Sequence, residues 1–255
     1  MLDKIDTGYE GKFDFPTRDH APEITYLLAT VPRAGSTHFS HVLWQTGCLG
    51  APLEYLNFEP GGPYGFAANS PEAQLNLWHS VLRRRCSPNG VFGLKAFPMQ
   101  FEALNHDNPP LLQEVLAAML PRGGPRHIIY LRRRDLLAQT ISYARAVMTG
   151  VWRKEQEAST SGSLDYSQEQ LESAERGIVF QQNVCGRMFN DLRIDPLCIW
   201  HEDVLADPAA ASRQVADYIG VSIEPASAVQ IPQISKQSRG EAEAWMDRYS
   251  KARRS

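Results

Sequence analysis

"ATVPRAGSTHFSHVLW" spans residues 29–44, and its reading decides the fold. An apolar run closes at Val31, then come Pro32, Arg33, a small turn of Ala34 and Gly35, and the hydroxyls of Ser36 and Thr37. A helical pattern follows. Strand, tight turn and helix together point several backbone N–H groups and a helix N-terminus at one spot, where an anion can be held. Ala34 and Gly35 let the anion approach the main chain, Ser36 and Thr37 add donors, and Arg33 adds fixed charge. The plainer alternative is an ordinary turn with Ser36 as N-cap. A nucleotide triphosphatase loop would carry a lysine that, with magnesium, neutralises the β- and γ-phosphates. That lysine is missing, His38 follows Thr37, and no acidic strand end stands out as a magnesium holder. A sulfuryl group bears less negative charge than a phosphoryl group, so protein cations and N–H donors suffice for it without a metal.

Outward from this loop, "ITYLLATV" (24–31), "VFGLKAF" (91–97), "HIIYLRR" (127–133) and "LCIWHED" (197–203) read as buried strands. Helical patterns fall at 36–47, 71–86, 110–120, 135–150, 168–190 and 208–219. The last of these is opened by Asp207-Pro208 and closed by Gly220. Alternating strands and helices predict one α/β domain over residues 1–255, with a mainly parallel sheet covered on both faces. Residues 1–22 read as an N-terminal extension. Two long irregular segments interrupt the rhythm: a Gly/Pro- and aromatic-rich stretch at 50–72, and a polar one at 153–170. Loops of that length in a compact domain tend to be functional lids or disordered segments.

Composition narrows the partners. A chain of 255 residues with 43% hydrophobic and 22% charged residues has ordinary soluble character. A net charge of −3 argues against a general nucleic-acid binder or a polybasic membrane binder, so the arginine clusters at 83–85 and 132–134 matter more than the total. The first 22 residues hold no apolar core of a signal peptide, and the eight-residue run at 24–31 falls short of the roughly 20 that a membrane helix needs. Cys48, Cys86, Cys185 and Cys198 are scattered without a C-x-x-C pair, which predicts neither a zinc site nor a disulfide framework. A cytoplasmic location is the default expectation. His38 and His41 share a helix face but lack a third ligand, so no metal site is expected.

Five stretches carry a resemblance: "ATVPRAGSTHFSHVLWQTG", "GAPLEYLN", "NGVFGLKAF", "RRRDLLAQTISYARAVMTGVWR" and "WMDRYSKA". In order and spacing they resemble the mycobacterial trehalose 2-sulfotransferase family, over about residues 24–251. "HEDVLADPAAASRQVADYIGV" is similar to a segment common among sulfotransferases in general. The resemblance implies a P-loop-NTPase-like three-layer sandwich, the sulfotransferase fold. It also implies the donor 3′-phosphoadenosine 5′-phosphosulfate (PAPS), a carbohydrate or glycolipid-type acceptor, and a homodimer. The aromatic residues of 50–72 are candidates for burial at such an interface.

Carried onto this sequence, the resemblance gives Pro32–Thr37 (with Arg33, Ala34, Gly35, Ser36 and Thr37) the 5′-phosphosulfate. It gives Arg133 and Ser142 the 3′-phosphate, and Lys236 a place in a basic C-terminal loop over the nucleotide. Strand alternation puts Arg132 and Arg134 on one face and Arg133 on the other, without saying which face looks inward. Glu54 matches the general base that takes the acceptor's proton. Ala51 stands where the family typically has a second acid, which leaves fewer polar groups for sugar hydroxyls. Lys95, a lysine inside an apolar strand, either neutralises charge near the donor or pairs with a carboxylate such as Asp203. Tyr55, Arg145 and Trp152 are candidates for the acceptor pocket, with core packing as the alternative. Two rival readings remain at this level: a small-molecule P-loop kinase, and a non-catalytic nucleotide-binding protein of the same fold.

Overall fold

The computed structural model describes residues 6–152, 156, 164–224, 229–233 and 242–252. Four parallel strands form one sheet in the order β2-β1-β3-β4: β1 Ile24–Ala29, β2 Val91–Ala96, β3 His127–Arg132 and β4 Leu197–Trp200. Around it run α1 Ser36–Gln45, α2 Pro71–Arg84, α3 Pro98–Asp107, α4 Pro109–Met119, α5 Leu136–Thr149, α6 Gln168–Leu192, α7 His201–Ala206, α8 Pro208–Ile219 and α9 Ala242–Ala252.

Side-chain alternation along the strands separates two cores. On one face Leu27 and Ala29 of β1 and Phe92 and Leu94 of β2 pack with Trp78 of α2, Val115 of α4 and Ile178 of α6. On the other, Tyr26 and Leu28 meet Phe39 and Leu43 of α1 and Val215 and Ile219 of α8. Both faces are thus covered, which is the three-layer α/β sandwich that the sequence predicts. A third cluster docks α9 on α5 and α6 through Trp245 and Tyr249, and the Tyr249 hydroxyl donates to Glu175 at 3.0 Å. The late "WMDRYSKA" stretch therefore packs against the helix that carries Ser142 and Arg145.

Local signals explain most boundaries. Ser70, Asn108, Asp135, Ser167 and Asp207 each cap a helix with a side-chain oxygen. Gly150 and Gly220 end α5 and α8 in the left-handed conformation. Two expectations need correction. The strand at 197–203 stops at Trp200, and His201–Ala206 is helical, with Glu202 and Asp203 in its first turn where acidic groups favour the helix dipole. The helix over 98–107 was not expected; Pro98 opens it, and the Gln100 side chain accepts the Phe97 N–H at 3.0 Å.

Neither the N-terminal extension nor the 50–72 segment behaves as a loose loop. Leu53 makes a parallel bridge to Leu94, Gly65–Ala67 forms a 3₁₀ turn, and Tyr55, Leu56 and Tyr64 are buried in this chain's own core. Phe66 is the exposed aromatic of that segment. Phe13 and Phe15 are buried as well. Residues 8–14 wrap around Arg85, which is 2% exposed. Its guanidinium pairs with Asp14 at 2.9 Å and donates to the carbonyls of Gly8 at 2.8 Å and Glu10 at 3.2 Å, and it lies over the Trp44 ring.

Arg85→Met keeps the apolar volume but strands Asp14 and the carbonyls that the guanidinium satisfies. A loss of about 3 kcal/mol is expected, read as a lower urea midpoint with an unchanged slope.

Candidate active site

The chain leaves β1 for β2 on one side and later crosses to β3 on the other, so the C-terminal ends of β1 and β3 border the topological switch of the sheet. Ligand crevices of open α/β sheets form there. The 30–35 loop fills one rim. Thr30 donates to the Leu131 carbonyl at 3.1 Å, and the buried Gln139 of α5 donates to the Pro32 carbonyl at 2.7 Å. Arg33 has φ 61°, an uncommon conformation for a residue with a side chain, and Gly35 has φ 83°. A Cβ on Gly35 would collide with the imidazole of His201, so the glycine is required for space as well as for conformation.

Gly35 is the N-cap of α1 and no side chain caps the helix; Ser36 is its first residue, not its cap. The four N–H groups that begin any α-helix lack intrahelical partners, and here they open onto the turn. Ser36 is buried and Thr37 half-buried beside them.

Three arginines converge on this rim. Arg33 Nε donates to Ser142 Oγ at 2.8 Å, and its Nη1 donates to the Trp152 carbonyl at 3.0 Å. Arg133 Nη1 donates to the Arg33 carbonyl at 3.3 Å. Burial, then the like charges of Arg133 and Arg145, push the Arg33 guanidinium down to about 10, so it stays charged at neutral pH in a repulsive setting. An anion relieves that repulsion. Ser142, expected beside Arg133, is bonded to Arg33. The neighbouring arginines go elsewhere: Arg132 lies 4.8 Å over the Trp200 ring, and Arg134 lies over the same ring while gripping Asp203 at 2.7 and 2.8 Å. Of the three, Arg133 reaches the loop.

Glu54 and Lys95 meet opposite the arginines. Lys95 is 1% exposed, on the side of β2 that faces α1. Its Nζ lies 2.8 Å from Glu54 Oε1 and donates to Thr37 Oγ1 at 3.4 Å. Glu54 Oε2 accepts from Asn57 Nδ2 at 3.1 Å, and the side chain keeps 17% exposure. Of the two partners weighed for Lys95, a donor-side role and a carboxylate such as Asp203, the lysine's carboxylate is Glu54. Asp203 follows β4, at the far edge of the sheet from β2, and is held by Arg134. One ammonium thus links a partly exposed carboxylate to the hydroxyl at the head of α1.

The remaining candidates divide. Arg145 and Trp152 stand at the arginine cluster, with Trp152 half exposed and against Tyr143. Tyr55 does not reach a pocket: it is 1% exposed, stacks on Phe92, and gives its hydroxyl to the Ala51 carbonyl. Lys236 lies outside the described residues. His41 Nδ1 bonds the Thr37 carbonyl at 2.8 Å, burial pushes His38 down, and no metal-holding cluster of His, Cys, Asp or Glu occurs among the described residues. Gln139 and Tyr9, which support the loop and Glu54, had no signal in the sequence because each acts across the fold, and Asn57, three residues from Glu54, had none because it sits in an aperiodic loop. A separate groove of about 690 Å³, lined by Thr46, Arg213 and Ile223 among others, opens at the other end of α1 and shares no residue with this site. No helix among the described residues is long and apolar enough to cross a membrane.

Two curated relatives are named trehalose 2-sulfotransferase. The one from Mycobacterium tuberculosis is 26% identical over 260 residues, covering 88% of this chain and 93% of its own length. The one from Mycolicibacterium smegmatis is 21% identical with the same coverage. Among solved structures, the sulfotransferase domain of the Synechococcus PCC 7002 olefin synthase covers 92% of this chain and 98% of its own at 16% identity, with a TM-score of 0.42. A sulfotransferase from Alicyclobacillus acidocaldarius covers 89% and 91% at 13% identity, with a TM-score of 0.44. The description Stf0 sulphotransferase matches residues 25–252, a span that runs from β1 through the phosphate-type loop, Glu54, Lys95 and Arg133 to α9. With nearly the whole chain inside that match, the protein belongs to the Stf0 sulphotransferase family.

Proposed function

We propose that this sulfotransferase moves a sulfuryl group from PAPS to a hydroxyl of a carbohydrate or glycolipid-type acceptor, with Glu54 as general base. The observation that carries the reading is the Glu54–Lys95–Thr37 chain, which ties a partly exposed carboxylate to the head of an uncapped helix. The rim fits the donor's charge: Arg33, Arg133 and Arg145 crowd there with like charges.

PAPS supplies the activated sulfuryl group. The amides of Ala34–Thr37, the hydroxyls of Ser36 and Thr37, and Arg33 hold its 5′-phosphosulfate. Arg133 and Ser142 hold its 3′-phosphate, and Lys236 belongs to the nucleotide side of the site. The loop groups and Arg133 are held by the fold before the reaction, so the charge that builds on the leaving side is met without reorganisation. Lys95 orients the Glu54 carboxylate and adds positive charge between the base and the cradle. Glu54 takes the acceptor hydroxyl's proton as the new O–S bond forms.

For the acceptor, the trehalose 2-sulfotransferase relatives point to trehalose as a sugar of the right class. Ala51, fully buried, supplies no carboxylate toward sugar hydroxyls. Arg145 and Trp152 are the acceptor-side groups left within reach of the arginine cluster. A cytoplasmic homodimer completes the proposal. The aromatics of 50–72 lend the dimer little support because most are buried within the chain, with Phe66 the exception.

Adenosine 3′,5′-bisphosphate at about 100 times its Kd should raise Tm by roughly 5–10 °C without magnesium. Equal stabilisation by ATP with magnesium would favour a kinase instead. Glu54→Gln should lower turnover on the order of 10²–10⁴-fold while the bisphosphate's Kd stays put. Arg133→Ala should do the opposite and weaken nucleotide binding first. Binding of the bisphosphate with no turnover of PAPS by the wild type would mark a non-catalytic homologue. Light scattering at micromolar concentration should report twice the 28.6 kDa chain mass.

A further inference from the structure

Residues 7–15 precede the family match, which starts at residue 25, yet they touch the backbone of the proposed base. Tyr9 Oη accepts the Glu54 N–H at 3.1 Å. We infer that Tyr9 is a positioning residue for sulfuryl transfer, fixing through this bond the backbone from which Glu54 reaches Lys95 and the acceptor hydroxyl. The inference rests on the assignment of Glu54 as base.

Glu54 belongs to no helix or strand, so its backbone owes its position to contacts outside regular structure. On one side, Leu53 bridges to Leu94 and its carbonyl accepts the Lys95 N–H at 3.1 Å. On the other side the partner is Tyr9. A base must be held within a fraction of an ångström of its working position, and a single anchor leaves a loop residue free to pivot. The turn that the Glu54 carbonyl closes with the Asn57 N–H at 3.2 Å lies within the loop and moves with it, so Leu53 before Glu54 and Tyr9 at its N–H are the holds from outside the loop that remove that freedom.

Tyr9 is itself held firmly. Its ring meets Tyr55 and Tyr64 edge-on, with centroids 6.4 and 5.3 Å away. Its turn is closed by Glu10, whose carboxylate accepts the Thr7 N–H at 3.0 Å, the Thr7 hydroxyl at 2.6 Å and the Gly8 N–H at 2.9 Å. Burial would raise the Glu10 carboxyl, but these bonds outweigh it and hold the group below its usual range. Arg85 then grips the carbonyls of Gly8 and Glu10 on either side of Tyr9. The buried arginine of the fold and the proposed base are therefore connected through one phenol.

The test uses the full chain as wild type, Tyr9→Phe, Glu54→Gln and the double variant. Formation of adenosine 3′,5′-bisphosphate from PAPS is followed with trehalose as acceptor and, separately, with water alone. Tyr9→Phe keeps the ring contacts and removes the acceptor oxygen. Turnover should fall roughly 3- to 10-fold, the worth of one hydrogen bond expressed as rate, with the bisphosphate's Kd unchanged. In the Glu54→Gln background the same change should cost nothing further, because its effect passes through the carboxylate. Tyr64→Phe, which removes a neighbouring phenol, should leave turnover alone. Equal losses in both backgrounds, no loss from Tyr9→Phe, or a matching loss from Tyr64→Phe overturns the role of Tyr9. Wild-type rate in Glu54→Gln overturns the base assignment itself, and absence of product from the wild type with both acceptors overturns the two together.

Discussion

A lysine ammonium buried inside a parallel sheet is the constraint on which the site depends. Lys95 occupies a strand whose other side chains are apolar, and an uncompensated charge there would cost several kcal/mol. The compensation comes from a loop, not from the sheet: Glu54 must return to β2, and it can do so only if Leu53 pairs with Leu94 and the following aromatics turn inward. The same ammonium reaches Thr37, so the start of α1 and the return of the loop are set by one charge. Folding and the arrangement of chemical groups are here the same requirement.

The arginine rim works in the opposite sense. Arg33 is pushed down first by burial and then by the like charges of Arg133 and Arg145, and its backbone is held at positive φ. The helices α1, α3 and α7, which follow strand ends, all begin without a side-chain cap, and of these α1 is the one entered through a residue with a side chain at positive φ. Violations of that kind collect where a protein holds something other than itself. The arginine rim thus holds like charges together, whereas on the other side Lys95 and Glu54 pair opposite charges.

The sequence made the scaffold legible because its signals are local. Apolar runs of strand length and the Asp-Pro and Gly boundaries of α8 each concern neighbours in the chain. The strand, turn and helix of residues 24–45 were legible for the same reason. The reading of "LCIWHED" as a strand to Asp203 failed because the carboxylates of Glu202 and Asp203 favour a helix start, which competes with the apolar run before them. Lys95 stood out as an anomaly, but its carboxylate lies on a separate loop, and no spacing rule selects Glu54 over Asp203. For Tyr55 the sequence leaves acceptor pocket and core packing both open, because adjacent loop residues share no period that says which one turns inward; the structure packs it in the core. The choice among Arg132, Arg133 and Arg134 was made by Trp200, whose ring takes up the outer two.

The bridge between Leu53 and Leu94 has a consequence for solubility. β2 is an edge strand, and an open edge of a buried, apolar strand is a template for pairing with another chain. The loop that carries Glu54 lies across that edge, so the carboxylate's own support also blocks strand addition. Any change that lifts this loop, whether at Tyr9, Leu53 or Lys95, uncovers the sequence Val91–Ala96 to neighbouring molecules. In this chain the penalty for displacing the loop is therefore self-association, and a variant that lifts it off β2 shows turbidity at high protein concentration.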